Sequence, residues 1–166
     1  MNDIFKRRSI RNFSNEEVSL EDINKMIEAA VQSPSARNQK PWHFVILDET
    51  KKEELMKMSH GAQNLKEANK FVAFVMDLSL SNPEFAPLDM SACVNNFMLE
   101  AYNLGIGSLW VGVYPITERM QYLNNLLQIK EPFQAFALVG LGYPKNKDDF
   151  KFLDRFDESR IHVGKW

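Results

Sequence analysis

The sequence predicts one domain built on a β-sheet covered by helices, an α/β or α+β layout. Three observations carry this. Four short apolar stretches read as strands, and each is separated from the next by a helix or a long loop. One of them, FVAFVMDL (Phe71 to Leu78), is a continuous apolar run rich in aromatic and β-branched residues, the signature of a central strand. The chain has 166 residues with 45% hydrophobic and 11% aromatic content, enough for one core and too short for two comfortable domains, so residues 1–166 read as a single unit.

Leu20 to Val31 carries apolar residues at Leu20, Ile23, Met26, Ile27 and Ala30, the stripe of a helix packed on one side. Ser19 with Asp22 resembles a capping box, and Pro34 ends the segment. HFVILD follows as a strand. Thr50 with Glu53 gives a second capping-box pattern, opening a helix to about Ser59. The Phe71–Leu78 strand leads into a loop, SNPEFAP, and then a long buried helix from Asp89 to Leu104, closed by Gly105 at C′. Leu109 to Val113 is a short strand, Thr117 to Leu127 a helix, and Phe136 to Leu141 the last strand. From Tyr143 onward the tail is charged and aromatic with little periodicity.

A net charge of −2 excludes a general nucleic-acid binder, which would show a strongly basic face. The lone Cys93 permits no internal disulfide, which points to a reducing compartment. The N-terminal segment lacks the apolar core of a secretory signal, and the longest apolar run is too short to cross a membrane. A cytoplasmic protein is the simplest expectation. His43, His60 and His162 have no metal-ligand spacing, and Cys93 reads as core.

Three clusters rise above this background. Arg7-Arg8-Ser9-Ile10-Arg11 sets three guanidiniums and a hydroxyl within one short segment, suited to a phosphate and equally to a solvated terminus. PSARNQKPW (Pro34 to Trp42) fixes an amide and two cations between prolines, suited to gripping a heterocycle or to joining a helix to a strand. Gly105-Ile-Gly107-Ser108-Leu-Trp110-Val-Gly112-Val-Tyr114-Pro115 offers glycines that let a ligand approach the backbone, beside two flat rings. Its spacing and its place between a helix and a strand are not those of a dinucleotide fingerprint. No nucleophile elbow or paired-carboxylate motif is present, so a bound cofactor is expected to carry the chemistry.

Taken in order, RRSIRNF, SPSARNQKPWHFVIL, LGIGSLWVGVYP, LVGLGYP and DRFDESRIHVGKW resemble the FMN-dependent nitroreductase family over essentially the whole chain. The resemblance implies an α+β fold with a mostly antiparallel central sheet, an intertwined homodimer and FMN as cofactor. It implies NADH or NADPH as electron donor and a nitroaromatic, quinone or similar acceptor, in a ping-pong cycle with no catalytic side chain of the protein's own. Reductive dehalogenation, flavin-consuming chemistry and a flavin-binding redox sensor are the alternatives. The matching positions are Arg7, Arg8, Ser9 and Arg11 for the phosphate, ribityl and ring edge, with Arg155 at the phosphate. Pro34, Ser35, Ala36 and Asn38 match the loop that reaches the other subunit's flavin, and Val111 and Gly112 match the backbone near N5. Lys40 replaces the glutamine common in that loop; it keeps a donor and lacks an amide's acceptor. The apolar inventory, twelve phenylalanines, eight methionines and three tryptophans, also exceeds what one helical layer would bury. That excess places the Asp89–Leu104 helix at the centre of the dimer and leaves Trp166 without a partner in its own segment.

Overall fold

The computed structural model describes residues 3–80 and 82–166. Ser19 opens α1 (Leu20–Ala30), its hydroxyl accepting from the Asp22 amide at 3.0 Å and donating to the Asp22 carboxylate at 2.8 Å. Helix α2 (Lys52–Lys57) is shorter than its sequence suggests. Its approach is capped by Asp48 instead of Thr50: the Asp48 carboxylate accepts from the Thr50 amide, and a 3-10 turn over Glu49–Lys51 precedes the helix. Helix α3 (Ala86–Asn103) starts three residues before Asp89, because Pro87 sits in its first turn, where a missing N–H costs nothing. Helix α4 spans Thr117–Leu127 as its pattern predicts and ends on Gln128 at φ 56.

The strands are β1 (Trp42–Asp48), β2 (Lys70–Asp77), β3 (Gly107–Gly112) and β4 (Phe133–Gly142). They form one sheet in the order β1-β2-β4-β3, antiparallel at every pairing. The α+β layout is therefore the one adopted. Strand β2 is central, and its apolar run is buried on both faces: Val72, Phe74 and Met76 pack with α1 and α3, while Phe71 and Ala73 pack with α2, α4 and the N-terminal segment. Two helical layers thus cover the sheet, where the sequence suggested one. Much of α3 packs inside the chain, on α1 and the sheet, while Leu88 near its start is 65% exposed. Large exposed apolar groups also collect in the tail, among them Phe152, Phe156, Ile161 and Val163.

A bulge in β4 leaves Phe136 without an opposite residue on β2. Trp110 and Tyr114 flank that ring at 6.1 and 5.7 Å between centroids. The N-terminal segment crosses the other face, where Gly107 and Gly142 pair. A Cβ on Gly107 would stand 2.8 Å from Ile10, and one on Gly142 2.8 Å from Phe13, so the missing side chains are what let the segment lie flat. The Ile10 amide donates to the Ser108 carbonyl at 3.0 Å and locks the register.

Candidate functional site

Held in this way, the N-terminal segment carries its arginines to the surface. Arg7, Arg8 and Arg155 line one cavity of about 330 Å³, together with Ile4, Phe5 and Phe152–Phe156. Arg155 is remote in sequence, and the Phe5–Phe152 ring contact at 6.2 Å brings its stretch of tail alongside. Among the described residues no carboxylate pairs with Arg7, Arg8, Arg11 or Arg155. Burial, and after it the charges of Arg8 and Arg155, lower the pKa of the Arg7 guanidinium. Three like charges gathered around a single carboxylate, Asp154, that pairs with none of them are costly, and an oxyanion would relieve that cost.

The arginines divide the work. The Arg8 guanidinium donates to the carbonyls of Arg7 and, at 2.9 Å, of Phe5, shaping the turn, while its buried Nε has no partner. Arg7 and Arg155 make no side-chain hydrogen bond among the described residues and are the more available. Arg8, Ser9 and Arg11 border a second cavity of about 300 Å³, where Arg11 donates to the Ser9 carbonyl at 3.3 Å. These residues suit a phosphate with a polar chain beside it, and so fit FMN.

The PSARNQKPW loop is built under tension. Arg37, Asn38 and Lys40 have φ of 53, 58 and 53°, a region that non-glycine residues pay to enter. The surroundings hold them there. The Asp89 carboxylate accepts from the Ala36 amide at 3.0 Å, and the Ser35 hydroxyl accepts from the Lys40 amide at 3.0 Å. Asn96 on α3 donates to the Ser33 hydroxyl at 2.8 Å, below Pro34. The side chains of Asn38 and Lys40 are exposed and have no partner among the described residues. Asp89 and Asn96 were missed by sequence reasoning. Their polarity alone does not single them out, because α3 also carries Ser91, Asn95, Glu100 and Asn103.

At the end of β3 the glycines differ in purpose. Gly107 makes room for the protein's own Ile10, not for a ligand. Gly112 is exposed, while the Val111 side chain is buried in the core against the N-terminal side. The Arg119 guanidinium donates to the Gly112 carbonyl at 2.8 Å. The expected site residues therefore form three groups: the arginine-lined cavities, the strained loop and the β3 end. The structure brings Arg155 to Arg7 and Arg8, but no loop residue lines either arginine cavity. Trp166 is 99% exposed, yet it does have a neighbour in its own segment, the His162 ring at 4.2 Å.

The profile of the Nitroreductase family matches residues 4–84 and 77–143. An Archaeoglobus fulgidus protein named "Putative NADH dehydrogenase/NAD(P)H nitroreductase" is 44% identical over 98% of this chain and 96% of its own. The crystal structure of a "Putative NADH Oxidase" from Clostridium acetobutylicum superposes with a TM-score of 0.94 at 38% identity, covering 99% of this chain and all of that one. A "putative nitroreductase" of Desulfovibrio desulfuricans, solved in complex with FMN, shares the fold with a TM-score of 0.83 at 22% identity, over 98% of this chain and 94% of that one.

Proposed function

This chain belongs to the nitroreductase family, and from that premise we propose that it binds FMN, takes reducing equivalents from NADH or NADPH and delivers them to a nitroaromatic, quinone or similar organic acceptor. The observation that carries the reading is the cavity where Arg7, Arg8 and Arg155 meet, three guanidiniums beside one carboxylate, Asp154, that forms an ion pair with none of them. When bound, FMN supplies the hydride-accepting ring, which no side chain of this protein could replace. Arg7 and Arg155 hold the phosphate, and Arg8 shapes the segment that presents them. Arg11 offers a cation to the N1–O2 edge of the ring, where negative charge collects on reduction. Val111 and Gly112 set backbone beside N5.

The loop completes the site across a homodimer. Pro34, Ser35, Ala36, Asn38 and Lys40 are fixed in advance by Asp89 and Ser35, and the exposed Asn38 and Lys40 side chains reach the partner's flavin. One binding surface then serves donor and acceptor in turn, a ping-pong cycle. Among the described residues no helix is long and apolar enough to cross a membrane.

A visible spectrum under anaerobic conditions tests the reading. Purified protein is expected to be yellow with one FMN per chain, to bleach with NADH or NADPH, and to recover colour on adding menadione, a nitrofuran or a halogenated phenol. Yellow protein inert to both nicotinamides would favour a redox sensor. Recovery with the halogenated phenol alone would favour dehalogenation. Colourless protein whose thermal midpoint ignores saturating FMN would overturn the flavin reading.

A further inference from the structure

Arg119 has no place in the roles described so far. It lies in the first turn of α4, where a cation faces the positive end of the helix dipole. Among the described residues no carboxylate forms an ion pair with it, although Glu118 shares the turn. A cation at a helix start with no ion pair breaks a local rule, and such breaks mark functional positions more often than others. Its geometry is nonetheless fixed. Nη1 donates to the Gly112 carbonyl at 2.8 Å, which draws the half-buried guanidinium across the exposed end of β3. A methyl group added at Gly112 would lie 4.0 Å from Nη1, so the two groups face one another over open strand. One donor is used, and the rest of the fork has no protein partner among the described residues. A guanidinium oriented by one carbonyl and otherwise free is prepared for a carboxylate or phosphate oxyanion.

We propose that Arg119 is a specificity-determining residue that binds an anionic oxygen group on the molecule exchanging electrons with the cofactor. This rests on the reading that places Gly112 beside the flavin ring. The group has two possible sources, the pyrophosphate of the nicotinamide donor and a carboxylate on the acceptor, and the same guanidinium would recognise either.

The test uses holoprotein carrying R119Q or R119K, rapidly mixed first with NADH and then, once reduced, with 4-nitrobenzoate or neutral nitrobenzene. R119Q should raise the half-saturating concentration of the anionic reactant about tenfold or more, the loss of one charge-assisted contact. Limiting rates and the nitrobenzene response should stay within about twofold, on the same grounds, and R119K should recover part of the loss. A rise with NADH assigns the contact to the pyrophosphate; a rise with 4-nitrobenzoate alone assigns it to the acceptor. Unchanged saturation in both half-reactions overturns the proposal, and so does equal weakening for nitrobenzene or loss of FMN from R119Q. Wild-type protein that does not bleach with either nicotinamide is a different failure, that of the flavin reading itself.

Discussion

Arg7 and Arg155 share a cavity with Arg8, and the one carboxylate lining it, Asp154, pairs with none of them, so the excess positive charge favours an anion. Arg155→Ala should leave the apoprotein's thermal midpoint unchanged or slightly raised while weakening FMN binding ten- to a hundredfold, since a charge-assisted hydrogen bond is worth roughly 1.5–3 kcal/mol. Titration of apoprotein with FMN, read by flavin fluorescence, checks this; a lowered midpoint with unchanged affinity would make Arg155 structural. Cys93 carries the opposite expectation. Burial in α3 pushes its thiol up to about 12, so thiolate is scarce at any working pH. Labelling by iodoacetamide at pH 8 should therefore proceed only as fast as the protein opens, and rapid labelling of native protein would contradict its place in the core. Asp77 titrates at the acid end. Hydrogen bonds from the Ser79 hydroxyl and amide, with the His43 charge beyond them, hold its carboxyl below the usual range against the opposing effect of burial. Its pKa is lower folded than unfolded, so its contribution is complete above the unfolded value and is lost as pH falls through the folded one. Asp77→Asn should flatten the fall in thermal midpoint below about pH 4, and a parallel acid limb would remove Asp77 as its cause.

At the scale of elements, two contacts place the site on the sheet. The first is the close approach of Ile10 to Gly107. Gly107→Ala forces a methyl to within 2.8 Å of Ile10, an overpacking that typically costs 1–3 kcal/mol. The N-terminal segment should shift with it, so the variant should lose FMN affinity as well as stability although Gly107 touches no ligand. Retained affinity in a destabilised variant would separate the segment from the site. The second contact is the Asp89 carboxylate under the PSARNQKPW loop. Both features explain what could be read in the chain and what could not. The helices and strands were legible because their apolar spacing is local: the α1 stripe, the β2 run and the whole of α4 follow from it. The arginine motif and the rigid loop were legible as chemistry. What joins them was not, because Ile10 over Gly107, Asp89 to Ala36 and Arg155 to Arg7 are contacts between distant positions with no local signature. The Thr50 capping-box pattern misleads because Asp48, two residues earlier, offers its own oxygen to the Thr50 amide and caps the 3-10 turn that precedes α2.

At the scale of the whole molecule, both sheet faces are covered, yet every residue from Lys151 to Trp166 is exposed. Phe156, Val163 and Trp166 are 76, 92 and 99% exposed, a density of bare apolar surface that a lone chain has no means to bury. The strained loop meanwhile displays Asn38 and Lys40 away from both arginine cavities of its own chain. The proposed homodimer answers both facts: a second copy would receive the tail, and its loop would close over the flavin proposed for this chain. A chain ending at Asp157 keeps Arg155 but loses Ile161, Val163 and Trp166. At about 1.5 kcal/mol or more for each buried apolar side chain, the dimer should weaken roughly a thousandfold or beyond. Light scattering of the intact protein should give twice the 19.2 kDa chain mass, and the shortened chain should dissociate at micromolar concentration and lose FMN as it does so. Asn38→Ala should weaken FMN binding while the dimer persists, since in the proposed arrangement it removes a flavin contact and leaves the apolar tail in place. A 19.2 kDa species that retains one FMN per chain would show that each copy builds its site alone, and the exposed tail would then need another partner.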